Sequence, residues 1–502
     1  MQKNIVALRV PRLTLWCAAL GVCLFVLIVG CNSTIEQPST SVVKAVDCVD
    51  ISALKQAAIP FRTSEAGGDY SDLAPLKQIV GNTRIVSLGE GTHGTREFFQ
   101  MKHRVLEYLV KEMGFTMFAI EATWAEANRV NDYVMEGKGD PAVLLSNLYF
   151  WTWNTQEVLA MITWMREYNK TTTGRKIGFY GFDMQFSRVT MNDVESFLQR
   201  VDPTAAAKVH DLYLPYRDFQ DDVNYRNRDY TVDATTIERQ QCRTNVRAVY
   251  DLLLASDSKY IAASSQADYD RALRAARIVV QNEEMRSYSS SITQVNIRDR
   301  SMAENAAWLL QQGGQGAKIV LWAHNGHVSN SERSGVTWMG VHLRRQFGND
   351  MVIMGFSFGS GQFNAVGSNG TSYTGLKTQS TTFIPDSSYE YQFQRLQQPR
   401  FFVDLRSLAN TSSAAWINGT RPFRSIGAVY APNYAEYYFY STALAKEFDV
   451  IIYFATTQAS VLLPFRYNGL VAAQPAKSIQ PVSRAPFSAD GIISSLNPYS
   501  PY

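Results

Sequence analysis

Three histidines and three acids carry the acid–base chemistry this chain could perform, and all six follow apolar runs. Glu90 and His93 stand in "SLGEGTHGTREFF", Glu121 near the end of "TMFAIEA", Asp183 at the end of "KIGFYGFD", and His324 and His327 in the "AHNGH" that follows "KIVLW". A neutral imidazole held by a carboxylate is a general base for water, and a second histidine can stabilise an oxyanion. The same residue types suit zinc or manganese, with a metal-bound water as nucleophile. Both readings need Glu90, His93, Glu121 and His324 in one place. The chain has six histidines, so three of them in such turns exceeds what ordinary turn polarity explains. Gly89, Gly91 and Gly94 let the backbone turn sharply and approach a ligand, and Thr95 is placed to cap the following helix. His93 then precedes a helix N-terminus, whose dipole disfavours imidazolium.

The elements that must position these residues are legible as apolar runs: 84–90, 116–122, 176–183, 318–324, 351–358 and 449–455. They are continuous rather than alternating, as strands buried on both faces are. Phe98, Met101, Val105, Leu109 and Met113 recur at helical spacing, and Gly114 ends that pattern. The expected fold is α/β: a mostly parallel sheet flanked by helices, with a large helical insertion at 184–317 forming a side or lid region. In such sheets ligands bind outside the carboxyl ends of the strands, where the candidate residues fall. Gly355-Phe356-Ser357-Phe358-Gly359 matches a nucleophile elbow, but no helix pattern follows it. No histidine follows His342 either, so the Ser…acid…His order cannot be completed, and Ser357 reads as a strand-end residue.

Lys and Arg number 48 against 45 Asp and Glu, and Lys3, Arg9 and Arg12 account for the excess. That balance offers nothing to nucleic acid. The basic start and the apolar stretch from Leu13 to Val29 read as an export signal over 1–30. Its end, Ile28-Val29-Gly30-Cys31, resembles a bacterial lipobox, which implies acylation of Cys31 and a membrane tether; an uncleaved anchor is the alternative. The expectation is a protein exported and tethered at the periplasmic or cell-surface side, with a flexible tether at 31–50, a catalytic domain at 51–470, a Pro/Ser-rich tail at 471–502, and a monomeric state. Cys48 and Cys242 remain for a single disulfide that spacing alone does not establish.

The stretches "SLGEGTHGTREFFQMKHRVLEYLV", "FAIEA", "WTWNTQEVLAMITWMREYN", "FYGFDMQ", "RDRSMAENAAWLL" and "LWAHNGHVSN", over roughly residues 70 to 460, resemble the erythromycin esterase family. The resemblance implies lactone hydrolysis by activated water without a serine nucleophile, on a macrolide or another small-molecule ester, with a role in antibiotic resistance. It makes His93 the general base, Glu90 and Glu121 the acids and His324 the second essential histidine. His327 and Asp183 adjoin the site, and Arg104 has a weaker claim to it. Trp151, Trp153 and nearby Tyr149 offer an apolar wall for a bulky substrate, against ordinary core packing as the alternative. No cofactor is implied. A divalent metal on Glu90, His93, Glu121 and His324, or a non-catalytic lipoprotein binding a ligand in the same cleft, are the competing readings.

Overall fold

A run that is apolar at consecutive positions has to bury both faces, and the six runs do so as neighbouring strands. A computed structural model of the chain describes residues 50–220, 229–467 and 470–471; Cys31, Cys48, and the segments read as signal and tail, lie outside them. The strands used below are β1 (Ile85–Leu88), β2 (Met117–Thr123), β3 (Gly178–Asp183), β4 (Ile319–Trp322), β5 (Met351–Ser368), β6 (Tyr373–Thr381), β7 (Arg400–Asp404) and β8 (Val450–Thr457). The main sheet has ten strands, in the order Ile59–Pro60, β7, β8, β5, β1, β4, β2, β3, with β6 and Val429–Tyr430 attached to β5. From β8 to β3 every neighbour is parallel, which bears out the α/β expectation. The margin is different: β7 pairs with β8, and β6 with β5, antiparallel.

Register fixes where the strands end. Leu88 is level with Trp322 and Met354, and Ile120 is level with Trp322 on the other side of β4. Glu90, Glu121 and His324 therefore emerge within two residues of one line across the sheet edge. Asp183 joins them after a shift in the β2–β3 register, pairing with Thr123.

Helices cover both faces. Against one face pack α1 (Arg96–Met113) and α3 (Gln156–Thr171), through Phe98, Val105, Leu109, Met161 and Ile162 on Val86, Leu88 and Trp322. α2 (Trp124–Glu136) follows β2 directly. Between β3 and β4 lie α4 (Arg188–Val201), α5 (Pro203–Arg217), α6 (Thr236–Ala255), α7 (Gln266–Arg286) and α8 (Ser291–Gln312). α4 to α7 enclose their own core of Val194, Leu198, Tyr213, Val246 and Val279. α8 differs: Ile297, Met302, Leu309 and Leu310 belong to the opposite sheet face with Ile85, Leu321 and Ile353. The segment read as one insertion thus ends in a helix of the sheet layer. None of the helices among the described residues is long and apolar enough to cross a membrane.

The nucleophile-elbow match falls inside β5, which continues to Ser368 instead of ending near Ser357. Ser357 is buried and donates to Glu390 Oε1 at 2.8 Å. It is a structural hydroxyl.

Candidate active site

The turn after β1 is shaped by close approach. A Cβ at Gly89 would lie 2.2 Å from Asn325 Oδ1, and one at Gly94 2.3 Å from the Asn364 carbonyl oxygen. Asn325 cannot yield easily, because its Oδ1 accepts from Phe356 N–H at 3.1 Å and its Nδ2 donates to Phe356 O at 2.8 Å. Thr95 begins α1 in an extended conformation without capping it through its side chain, contrary to the sequence reading; its hydroxyl is taken by Thr92. The tight glycine turn, rather than a cap, aims Glu90 and His93.

Glu90 is fully buried and gathers three donors. His93 Nδ1 lies 2.7 Å from Oε1, while Lys102 Nζ at 2.5 Å and Trp322 Nε1 at 2.8 Å donate to Oε2. A carboxylate only accepts, so His93 carries a proton on Nδ1, and the neutral ring has its lone pair on Nε2. Nε2 has no hydrogen-bond partner among the described residues, and His93, 9% exposed, is the most open member of the cluster. Lys102 projects from α1 with its ammonium 4.2 Å above the Trp322 ring. Burial pushes its pKa down to about 8, against the opposing pull of the Glu90 charge.

A second network lies alongside. Arg298, from α8, donates through Nη2 to Glu121 Oε1 at 2.6 Å and to Asp183 Oδ2 at 2.8 Å, and through Nε to Asp183 Oδ1 at 3.2 Å. His327 donates from Nδ1 to Asp299 Oδ1 at 2.8 Å, while its Nε2 lies 3.3 Å from Glu121 Oε1 and 3.0 Å from Arg298 Nη1. Burial works against a charge on His327, but the Asp299 and Glu121 carboxylates outweigh it and raise its pKa to about 9. Burial likewise opposes ionisation of Glu121, yet His327 and Arg298 hold its carboxyl well below the usual range.

His324 links the two networks. Its ring centroid is 4.9 Å from that of His93, and its backbone N–H donates to Glu121 Oε2 at 3.0 Å. Nδ1 accepts from Gly326 N–H at 3.1 Å and Nε2–H donates to the Ile426 carbonyl at 3.1 Å. Burial first, and then the neighbouring His93 and His327, keep its pKa well below the ordinary histidine value. His324 is a neutral ring with both nitrogens engaged.

The structure thus brings Glu90, His93, Glu121, Asp183, His324 and His327 to one edge. Arg104 takes no part: it is buried on Asp72 Oδ1 at 2.6 Å, Asp69 O at 2.8 Å and Thr63 O at 2.9 Å, where it fastens the segment before β1. Trp153 is buried, its ring edge-on to His93 at 6.2 Å and its Nε1 donating to Glu121 O at 3.0 Å. Trp151 is buried as well, so neither tryptophan presents the open apolar wall anticipated for it. Lys102, Arg298 and Asp299 join the site without having been singled out. The available signal was a charge on an apolar helix stripe: Lys102 lies four residues after Phe98 and three before Val105.

Residues after β8 tie the two turns together. Thr95 bridges Ala459 and Thr155 bridges Leu462, both antiparallel. Ser460 N–H donates to Gly94 O at 2.9 Å and Leu463 N–H to Asn154 O at 2.8 Å. The strap 458–463 therefore fixes the His93 turn against the turn that carries Trp153.

Among the described residues no group of three or more His, Cys, Asp and Glu side chains is arranged to hold a metal ion. Glu90's oxygens already take three donors, and both His324 nitrogens are engaged, so the proposed metal ligands share no face of uncommitted lone pairs.

A mostly parallel α/β sheet with a histidine–carboxylate pair at its carboxyl edge is the framework of a hydrolase. The erythromycin esterase family model matches residues 110–457, and the chain belongs to that family. It is 25% identical over 338 residues to erythromycin esterase type II of Escherichia coli, covering 62% of this chain and 78% of that protein. A crystal structure of a succinoglycan biosynthesis protein is 27% identical, with a TM-score of 0.71 over 85% of this chain and all of the other. An erythromycin esterase mutant in its open conformation shares the fold at 18% identity, with a TM-score of 0.62 over 80% of this chain and 96% of that one.

Proposed function

We propose that the chain hydrolyses a carboxylic ester or lactone with water activated by His93. The observation that carries this is the orientation of one ring: Nδ1–H is spent on Glu90 at 2.7 Å, which leaves Nε2 to accept a proton. Water adds to the ester carbonyl as Nε2 takes its proton. The tetrahedral intermediate then expels the alkoxide, which recovers that proton, giving acid and alcohol. Glu90 orients the imidazole and stabilises the imidazolium, as the carboxylate of a triad does. His324 would serve the oxyanion only by turning its Nε2–H away from Ile426, so its resting role in this scheme is that of a neutral neighbour that leaves His93 free to accept a proton.

Relatives named for an esterase and for succinoglycan biosynthesis share this fold, and fold alone does not choose between substrates. Macrolide ring opening, and with it antibiotic resistance, belongs to the proposal. Purified protein incubated with a macrolide panel should yield a product heavier by one water, and His93→Ala should lower kcat by roughly 10²–10⁴-fold. Full turnover by His93→Ala, with its fold retained by circular dichroism, would overturn the mechanism. The lipobox-like end at Cys31 supports a lipid-tethered, exported form; wild type but not Cys31→Ser should incorporate radiolabelled palmitate.

A further inference from the structure

Trp151 and Trp153 are buried, while Tyr149 and Phe150, just before them, and Phe186, three residues after Asp183, are each half-buried. Phe186 meets Tyr149 edge-on at 5.5 Å between ring centroids and Phe150 at 5.6 Å in a tilted pair. We infer that these three rings form the subsite for the hydrocarbon part of the ester, and hence that the preferred substrate carries an extended or bulky apolar group next to the scissile bond. The inference rests on the ester-hydrolase reading and adds the chemistry of what that site selects.

The cluster is continuous with the site on two sides. Phe150 O accepts from Trp153 N–H at 3.2 Å, which places Phe150 one turn from the ring that contacts His93. Phe186 follows Gln185, whose amide donates to Asp183 Oδ2 at 2.6 Å within the Arg298 network. The cluster is also built to stay in place. The buried Asn282 donates to Met184 O at 2.9 Å and Gln185 O at 2.8 Å, pinning the backbone immediately before Phe186. Tyr149 sits at φ 68°, a left-handed conformation that costs a residue with a Cβ. Glycine would relieve the backbone here; the tyrosine keeps the strain and sets its ring against Phe186. Rigid, half-open rings bind hydrocarbon with little ordering cost.

Two variants and two readouts test this. Hydrolysis of p-nitrophenyl acetate and p-nitrophenyl decanoate is compared in wild type, Phe186→Ala and Tyr149→Gly. The decanoate-to-acetate ratio of kcat/KM should fall about tenfold in each variant, through KM for decanoate, as loss of one partly buried aromatic contact implies. Tyr149→Gly removes the φ strain along with the ring and its contacts, so both variants are compared at a temperature where circular dichroism shows them folded. An unchanged ratio in both variants overturns the subsite. Calorimetric binding of the decanoate anion needs no turnover and should weaken about tenfold in Phe186→Ala. If wild type hydrolyses neither ester, the macrolide panel decides the ester-hydrolase reading, and weakened decanoate binding in Phe186→Ala still upholds the apolar subsite. Equal decanoate affinity in wild type and Phe186→Ala overturns it.

Discussion

Replacing Lys102 by Met removes the only cation bonded to Glu90 among the described residues and leaves that carboxylate buried. Breaking one partner of a buried pair costs about 3–5 kcal/mol, so Lys102→Met should show a large fall in urea midpoint. Adding Glu90→Gln to it should restore much of that stability without restoring activity. An unshifted midpoint in the single variant would show that Lys102 does not hold Glu90. His327 sets a pH dependence of a definite sign. Its pKa is raised by Asp299 and Glu121 to about 9 from an unfolded value near 6.5. The folded state therefore binds the extra proton between those values; the contribution is complete below pH 6.5 and lost as pH rises through 9. Wild type should lose up to about 3 kcal/mol across that window, and His327→Gln should flatten the slope. Parallel pH curves for the two proteins would remove His327 as the source. At this scale the histidines and acids at strand ends were legible because their run of apolar neighbours placed them. Lys102 and Arg298 were not: a cation within a helix looks like a solvated face until its acid partner is known. Arg104, two residues after Lys102, shows how finely the burial of α1 sorts similar charges between a scaffold role and the site.

For an element, the useful question is how tightly it is bound to its neighbours. A Cβ at Gly94 would overlap the Asn364 backbone, with its oxygen at 2.3 Å and its nitrogen at 2.6 Å, so the turn or β5 has to move. Gly94→Ala should therefore cost about 3 kcal/mol, the upper end of overpacking, and should lower kcat because His93 shifts with the turn. Unchanged melting and turnover would mean the turn has slack that the packing does not show. The parallel strands were readable because they are buried on both faces, which leaves a continuous apolar run. β6 and β7 were not. β6 is a largely exposed, polar strand, and β7 is a five-residue strand ending in an acid; each is a strand because β5 or β8 offers it an edge. α8 was read with the insertion for a related reason: helical spacing shows that a face is apolar but not what lies against it.

Across the molecule, the site depends on residues far apart in the chain. The strap 458–463 joins the His93 turn to the Trp153 turn through backbone hydrogen bonds, with side-chain bonds such as Asn154 Nδ2 to Leu463 O beside them. Ser460→Pro and Leu463→Pro each remove one donor N–H, to Gly94 O and Asn154 O respectively. Each should lower kcat/KM by about tenfold or more at temperatures where the protein is still folded, since small displacements of the proposed base, His93, are costly. Activity that falls only in step with the folded fraction would reduce the strap to a stabilising role.

The position of β1 has a consequence in time. The strand that carries the catalytic turn lies between β4 and β5, which are made much later in synthesis. At 5–20 residues per second, the ribosome leaves β1 without either neighbour for on the order of ten seconds or more. Throughout that interval its unpaired backbone N–H and C=O groups are open to other chains. The site cannot be assembled before β4 and β5 have been made, so it forms only when most of the polypeptide is complete.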